Sequence, residues 1–367
     1  MQALILAGGK GTRLRPLTST IPKPIVPLVD RPFISYMIEW LADHGVEQVI
    51  LSCGFMAAEI RAELGDGSHL GVALRYLEEP RPLGTGGALK YAEDLLEERF
   101  FMLNGDVLTD IDLSQQLAQH ERAGALATLA LIDVEDPSAY GLVKLREDSS
   151  VAEFVEKPGP EQVGINLINA GAYVLERDVL ARMGPAGTNM SIERDVFPTL
   201  VGDGLFGYEA SGYWLDIGTP ERYLLATFDI LEGNVATHLG ARLGDQNRSL
   251  IKEASVAGRV VAPALVCEGA VVGEGAIVGG RTVLGRGVEV GAGAHVESSV
   301  VLEGAHVGER TTIRSSIIGK GVVVGSRCQI TGGAVLGEGV RVGSENVLAA
   351  SMRIFPGVEL PERAISF

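Results

Sequence analysis

Cysteine is scarce in this chain. The three present, Cys53, Cys267 and Cys328, lie far apart and form no C-x-x-C pair. That excludes a disulfide framework and a thiolate metal site, and it predicts buried apolar thiols in a reducing compartment. Positive charge is short as well. Thirty-one Lys and Arg stand against 47 Asp and Glu, a formal net charge of −16. Such a balance argues against nucleic acid as a partner, because a phosphate backbone demands a basic surface. No apolar run approaches the roughly 18 residues of a membrane span. The N-terminus shows no signal-peptide pattern, so a cytoplasmic protein without a membrane partner is expected. Two familiar phosphate loops are missing too. No Gly-Lys-Ser/Thr follows four spacers as a Walker loop requires, and the dinucleotide fingerprint fails at Leu14, where a third glycine or an alanine belongs.

What is present begins with the stretch from Ala3 to Leu28. Ala3 to Ala7 is an apolar run with the length of a buried strand. Gly8, Gly9 and Gly11 follow, and glycines there let the backbone turn sharply and bring its N–H groups toward an anion. Arg13, Arg15 and Lys23 put three cations in one loop, which Pro16, Pro22, Pro24 and Pro27 stiffen. A strand that feeds a glycine turn lined with fixed positive charge is suited to phosphates.

Beyond the loop, strand and helix patterns alternate. Arg31 to His44 has helical spacing and ends at Gly45; strands are expected over Val46–Cys53, Val72–Leu77, Phe100–Leu103 and Leu126–Leu131. The alternation predicts an α/β domain with a doubly wound, mostly parallel, Rossmann-like sheet, with ligands at the carboxyl ends of its strands. A second glycine-rich turn, Gly84-Thr85-Gly86-Gly87, is expected to lead into a helix over Leu89–Leu96, with backbone groups free to meet the edge of a base. Asp106 follows a buried strand and a glycine. It suits a Mg²⁺ shared with phosphate oxygens, or else an ordinary turn. Asp110 and Asp112 are expected to cap the next helix. Tyr140–Val143 and Val151–Val155 read as a hairpin ending in Glu156-Lys157-Pro158, whose first two side chains point to opposite faces. Gly171 permits close approach of a ligand, and Asn169 offers a donor and an acceptor. Asp216, beside Tyr213 and Trp214, is either a rigidly held site carboxylate or the cap of a helix near Pro220.

The pattern G-G-x-G-T-R-L-x-P-L-T followed by P-K-P, from Gly8 to Pro24, resembles the signature of the sugar-1-phosphate nucleotidylyltransferases. The later motifs match the same family. The resemblance implies a nucleotide held by Leu6, Ala7, Gly8, Gly9, Gly11, Thr12, Arg13, Gly84, Thr85, Asn104 and Asp106. It implies a sugar phosphate held by Gly141, Glu156, Lys157, Asn169 and Gly171. It also implies catalysis by Arg13, Lys23, Asp106, Lys157 and Asp216, with Mg²⁺ on Asp106 and Asp216. The segment Ser191–Pro198 resembles the branch that joins GTP to mannose 1-phosphate, although its chemical role is not legible. The long glucose-1-phosphate thymidylyl- and uridylyltransferases share most of these motifs.

From Val260 the chain changes character. An aliphatic residue recurs every six positions through Val266, Val272, Val278, Leu284, Val290, Val296 and Leu302, slips by one at Val307, resumes at Ile313, slips again at Ile318, and continues to Ile354. A hexapeptide period denotes a parallel β-helix, here of the left-handed form with five or six coils. The expected organisation is therefore a nucleotidyltransferase domain over residues 1–233, a linker over 234–252 and a β-helix over 253–367. A flat-sided stack of this kind favours a homo-oligomer. Hexapeptide β-helices also serve acyl transfer, but His295 and His306 stand isolated in the repeats and read as surface residues. A non-catalytic regulatory homologue could lose its acids or loop cations, whereas all five catalytic candidates are present here.

Overall fold

The structure is a computed structural model that describes residues 1–54, 56–138, 140–155 and 166–366. It falls into two compact units: Met1–Gly9 with Ile34–Trp214, and Lys10–Phe33 with Leu215–Phe367. The signature loop thus groups with the C-terminal part of the chain rather than with the sheet that leads into it.

The first unit is built on a nine-stranded sheet. Its elements run β1 (Gln2–Ala7), α1 (Phe33–Asp43), β2 (Gln48–Cys53), α2 (Ala57–Leu64), β3 (Ala73–Glu78), α3 (Gly84–Tyr91) and β4 (Arg99–Asn104). After these come α4 (Leu113–Ala123), β5 (Ala127–Asp133), β6 (Leu142–Leu145), β7 (Val151–Val155), β8 (Leu167–Glu176) and β9 (Leu205–Glu209). Strands β3, β2, β1 and β4 lie side by side and parallel. They are apolar because both faces of such a sheet are covered; Ala3, Leu4, Ile5, Val49, Ile50 and Leu51 have no exposed surface. Past β4 the sheet turns antiparallel: β8 pairs antiparallel with β4, β5 and β6, and β7 returns on β6 as a hairpin. The sheet is therefore mixed, with its parallel half at the amino-terminal strands. Gly45, at φ 77°, ends α1 as expected.

Helix α3 corrects one boundary. It starts at Gly84, so the glycines lie within its first turn instead of ahead of it. The reason is close packing. A Cβ on Gly87 would stand 2.3 Å from the Thr188 carbonyl oxygen, and one on Gly84 2.5 Å from that of Met190.

In the second unit the loop closes with a hairpin in which Pro27–Leu28 pairs with Arg31–Pro32. Helix α5 (Pro220–Glu232) is capped by the Thr219 side chain, and the Tyr223 hydroxyl donates to the Pro27 carbonyl. The stretch 234–252 is ordered secondary structure: Thr237 caps α6 (His238–Asp245), and Ser249–Ile251 pairs in parallel with Ala264–Val266. The β-helix thus begins inside that stretch. Its three faces carry seven, seven and six parallel strands, as the left-handed form requires. Inward aliphatics stack coil on coil, as in the column Val260, Val278, Val296, Ile313, Ile330 and Leu348.

The first register slip falls one repeat earlier than the six-residue period suggested. Val301, not Leu302, lies opposite Leu284 and joins the buried core. Both short steps, Val296 to Val301 and Ile313 to Ile318, lead onto the same face. Each omits one corner residue, and serines fill the corners. Ser298 and Ser315 take positive φ, the Ser316 N–H donates to Ser299 Oγ at 3.1 Å, and Ser299 and Ser316 return their hydroxyls to carbonyls of their own corners. His295 and His306 lie on outward faces beside Glu297 and Glu289. Burial pushes the thiols of Cys53 and Cys267 up to about 12 and about 11, and all three cysteines are free and buried. Among the described residues, no helix is long and apolar enough to cross a membrane.

The register assignment is testable. Val301→Ala should cost about 2 kcal/mol of stability through the cavity it leaves, whereas His306→Ala on the exposed face should stay within about 0.5 kcal/mol. Denaturant titration of the two variants checks the difference, and equal midpoints would contradict the inward placement of Val301.

Candidate active site

The parallel register brings the predicted residues of the first unit together. Leu6 on β1 pairs with Asn104 on β4, so the turn at Gly8 and Gly9 and the segment Asn104-Gly105-Asp106 leave neighbouring strand ends. The Gly105 N–H donates to the Leu6 carbonyl at 3.0 Å, and a Cβ on Gly105 would come within 2.5 Å of that oxygen. Only glycine fits there. Gly54, after β2, would bring a Cβ 3.1 Å from the Gly8 carbonyl oxygen, and Gly9 has open space around it. An exposed glycine with nothing above it can present its backbone to an anion.

The second glycine turn is fixed from two sides. Glu79, just past β3, accepts from Ser52 Oγ at 2.9 Å and from the Leu83 N–H at 3.2 Å. On the other side stands the segment whose role the sequence did not reveal. The Gly86 and Gly87 N–H groups donate to the Met190 carbonyl at 2.9 and 3.1 Å. Thr85 Oγ1 donates to Glu193 Oε2 at 2.6 Å and accepts from the Ile192 N–H at 2.9 Å, and Ser191 Oγ donates to the same carboxylate oxygen at 2.6 Å. Glu193 is buried, and these donors offset the cost of burying its charge. Ser191–Val196 is therefore a brace for the glycine turn. A pattern of Thr in the turn and Ser-x-Glu a hundred residues on was the only sequence signal for it.

Across β4, the β8 strand delivers Asn169 and Gly171. Gly171 takes φ 74°, and a Cβ there would meet Asn104 Nδ2 at 2.8 Å. Asn169 Oδ1 accepts from the Gly171 N–H at 3.1 Å, and its Nδ2 donates to the Tyr173 hydroxyl at 2.9 Å. One amide proton and one lone pair remain for a ligand. The Gly141 carbonyl accepts from the Asn169 N–H at 2.9 Å, so Gly141 joins this cluster. Trp214 donates its indole N–H to the Ala170 carbonyl at 2.8 Å and packs edge-on against Tyr140. Asp110 does not cap α4. It accepts from the Tyr213 N–H at 2.7 Å and holds the chain beside Trp214, while Asp112 alone caps, accepting from Ser114 and Gln115 N–H groups. Glu156 and Lys157 lie outside the described residues.

In the second unit, Gly11 at φ 58° opens the loop. Its carbonyl accepts from Thr18 Oγ1 at 2.6 Å, and a Cβ on it would meet the Lys23 Cβ at 3.0 Å. The buried stem of Lys23 therefore passes close to the glycine turn, and Thr12 and Arg13 lie exposed on a single helical turn next to it. Arg13 and Asp216 both line Gly218. Arg13 Nη2 and Asp216 Oδ2 both lie 3.1 Å from the place a Cβ on Gly218 would take. Asp216 Oδ1 pairs with Arg222. Thr219, not Asp216, caps the helix that follows, so the carboxylate is left to pair with Arg222.

Among the described residues, no three His, Cys, Asp or Glu side chains gather to hold a metal by themselves. The donor chemistry suits Mg²⁺ on one condition: a carboxylate such as Asp106 or Asp216 needs phosphate oxygens and water to complete an octahedron.

Thr85→Val removes a donor from the buried Glu193 carboxylate and an acceptor from the Ile192 N–H. It should lower stability by about 1–3 kcal/mol. A thermal melt checks this, and an unchanged midpoint would deny the brace.

Comparisons with known proteins place the chain among relatives. A family model described as "GMPPB C-terminal domain" matches residues 260–366. Mannose-1-phosphate guanylyltransferase of Mycobacterium tuberculosis is 43% identical over 237 residues, covering 64% of this chain and 65% of that protein. The mannose-1-phosphate guanylyltransferase catalytic subunit beta of Danio rerio is 41% identical over 231 residues, 61% of this chain and 63% of its own length. The aligned part thus spans somewhat less than two thirds of these relatives. HddC from Yersinia pseudotuberculosis, solved alone and complexed with GMP-PN, is 31% identical and covers 61% of this chain and 97% of its own, with TM-scores of 0.54 and 0.53. Residues 2–233, from the first strand to the end of α5, match the model described as "Nucleotidyl transferase", and with its glycine turn, its loop cations and its strand-end aspartate in place the chain belongs to that family.

Proposed function

We propose that the chain joins GTP to mannose 1-phosphate, forming GDP-mannose and releasing pyrophosphate. The observation that carries this reading is the pairing of β1 with β4, which sets an open glycine turn beside Asp106 and within one strand of Asn169 and Gly171. Nucleotide and sugar elements thereby share one edge of one sheet. The activity for which the relatives are named and the GMP-PN complex of HddC support guanine and mannose.

The reaction is an in-line displacement. A phosphate oxygen of the hexose phosphate attacks the α-phosphorus of GTP, the bond to the β-phosphate oxygen breaks, and pyrophosphate departs with its electron pair. The nucleophile is already an anion, so no covalent enzyme intermediate is required; the barrier is the approach of two anions. Arg13 and Lys23 hold the triphosphate and stabilise the leaving pyrophosphate. Lys157 steadies the incoming phosphate, Glu156, Asn169 and Gly141 orient the sugar, and Gly171, packed on Asn104, approaches it through its backbone; positioning supplies much of the rest. Asp106 and Asp216 would hold Mg²⁺, which when bound polarises the α-phosphate and neutralises charge. Asp216 is already oriented for this by Arg222 and by its place beside Arg13. The turn at Gly84 and Thr85, braced by Glu193, meets the base. Exposed Val271 and Ile277 on outward strands of the β-helix support assembly with further copies of the chain. Three buried free thiols suit the cytoplasm.

Pyrophosphate release measured over a grid of nucleoside triphosphates and hexose 1-phosphates with Mg²⁺ tests the reading. GTP with mannose 1-phosphate should lead the grid; acetyl-CoA turnover without pyrophosphate would replace the reading with acyl transfer. Asp106→Ala and Asp216→Ala should each lower kcat by at least ~10²-fold with the fold retained, in keeping with lost charge stabilisation. A fully active double variant would refute the assignment of the two aspartates.

A further inference from the structure

One face of the β-helix differs from the other two. Its outward column runs Leu250, Leu265, Val283, Val300, Ile317, Val335 and Arg353, in register from the first strand to the last. On the other faces, outward residues such as Val271, Glu289, His306 and Arg341 are exposed. On this face Leu265, Val283, Val300 and Ile317 have no exposed surface and Val335 has 1%. A β-helix face that was only a spacer would leave its outward residues exposed, as the others do.

The two ends of this face hold the signature loop and the hairpin that closes it. Beside its first strand, Lys252 Nζ donates to Asp30 Oδ2 at 3.0 Å, and the neighbouring Arg31 pairs with the same carboxylate. These partners keep the Asp30 carboxyl below the usual carboxylate range, against the opposing effect of burial. On its last strand, six strand spacings and so about 29 Å away, Arg353 Nη1 donates to the carbonyls of Arg13 and Arg15 at 3.2 and 3.3 Å. Its Nη2 lies 4.0 Å from Glu221 Oε1, near the start of α5. Arg353 replaces the aliphatic residues of its column at a position where loop carbonyls lie within reach.

We propose that Arg353 is a positioning residue of the nucleotide site, which makes the last coil of the β-helix part of the machinery that binds the triphosphate. The guanidinium does not touch substrate. It fixes the backbone on both sides of Leu14, and so fixes the point from which the Arg13 side chain reaches the phosphates and stands beside Asp216. A guanidinium, with several donors in one plane, can serve two carbonyls and a carboxylate at once. The inference rests on the reading that Arg13 holds the triphosphate.

The full-length enzyme provides the test, with variants Arg353→Ala and Arg353→Lys and, as a control on another face, Arg341→Ala. Arg353→Ala should raise KM for GTP about five-fold, the effect of losing a charge-assisted but partly exposed contact. KM for mannose 1-phosphate should not move. Arg353→Lys should recover most of the loss, and Arg341→Ala should match wild type. Amide hydrogen exchange should quicken over residues 12–17 in Arg353→Ala without substrate present. A wild-type KM for GTP in Arg353→Ala overturns the proposal. If the wild-type enzyme makes no nucleotide sugar, the functional reading fails by itself. The hold of Arg353 on the loop is then judged by exchange, where faster exchange sustains it and unchanged exchange overturns it.

Discussion

The hydrogen bond from the Gly105 N–H to the Leu6 carbonyl is the constraint on which the first unit's site depends. It joins the two central parallel strands at the point where both leave the sheet. The absence of a side chain at residue 105 lets the two chains close to this distance. A shift of one residue would turn Asp106 to the opposite side of its strand, since side chains alternate along a strand. The first glycine turn, the aspartate and the Asn169–Gly171 cluster on β8 all inherit their places from this one register. The same economy explains why Gly54 and Gly171 lie on or just past the strands that flank this pair: each stands where a neighbour's backbone or amide already fills the space.

Much of this was legible beforehand, because the signals were local. The glycine turn, the loop cations and the alternation of strand and helix can each be read within a few residues. The six-residue period could be read because every inward position repeats the same chemistry. What stayed hidden was long-range or degenerate. The brace at Ser191–Glu193 acts through hydrogen bonds to Thr85, Gly86 and Gly87, about a hundred residues earlier. Nothing in its own composition reveals that partner. Val301 and Leu302 are both aliphatic and both buried, so only the pairing with Leu284 decides which faces the core. Asp110 looked like a helix cap from its position, but the Tyr213 N–H claims its carboxylate. The start of α3 was misplaced because glycines usually mark turns, whereas here a helix needs them to approach another segment closely.

Charge is arranged against the grain of the whole molecule. A chain with a formal net charge of −16 gathers Arg13, Arg15 and Lys23 in one loop and sets Arg222 on the neighbouring Asp216. Most ion pairs on the β-helix, by contrast, are exposed and join adjacent coils, as in Glu303–Lys320 and Arg327–Glu345. Surface pairs of that kind contribute little to stability. Electrostatics therefore matters chiefly in the loop, where cations would meet a ligand of several negative charges, and the acidic remainder repels competing polyanions.

The serine corners of the β-helix bear on how this part of the chain can change over descent. A coil there closes in 17 residues or in 18 without altering which side chains face inward, because the lost residue comes from a bend and the strands on either side keep their pairing. Single-codon deletions and insertions at those bends can accordingly accumulate as neutral length drift. The same events inside β1 or β4 would reverse the faces of a central strand, so the two halves of one gene should tolerate gaps at very different rates.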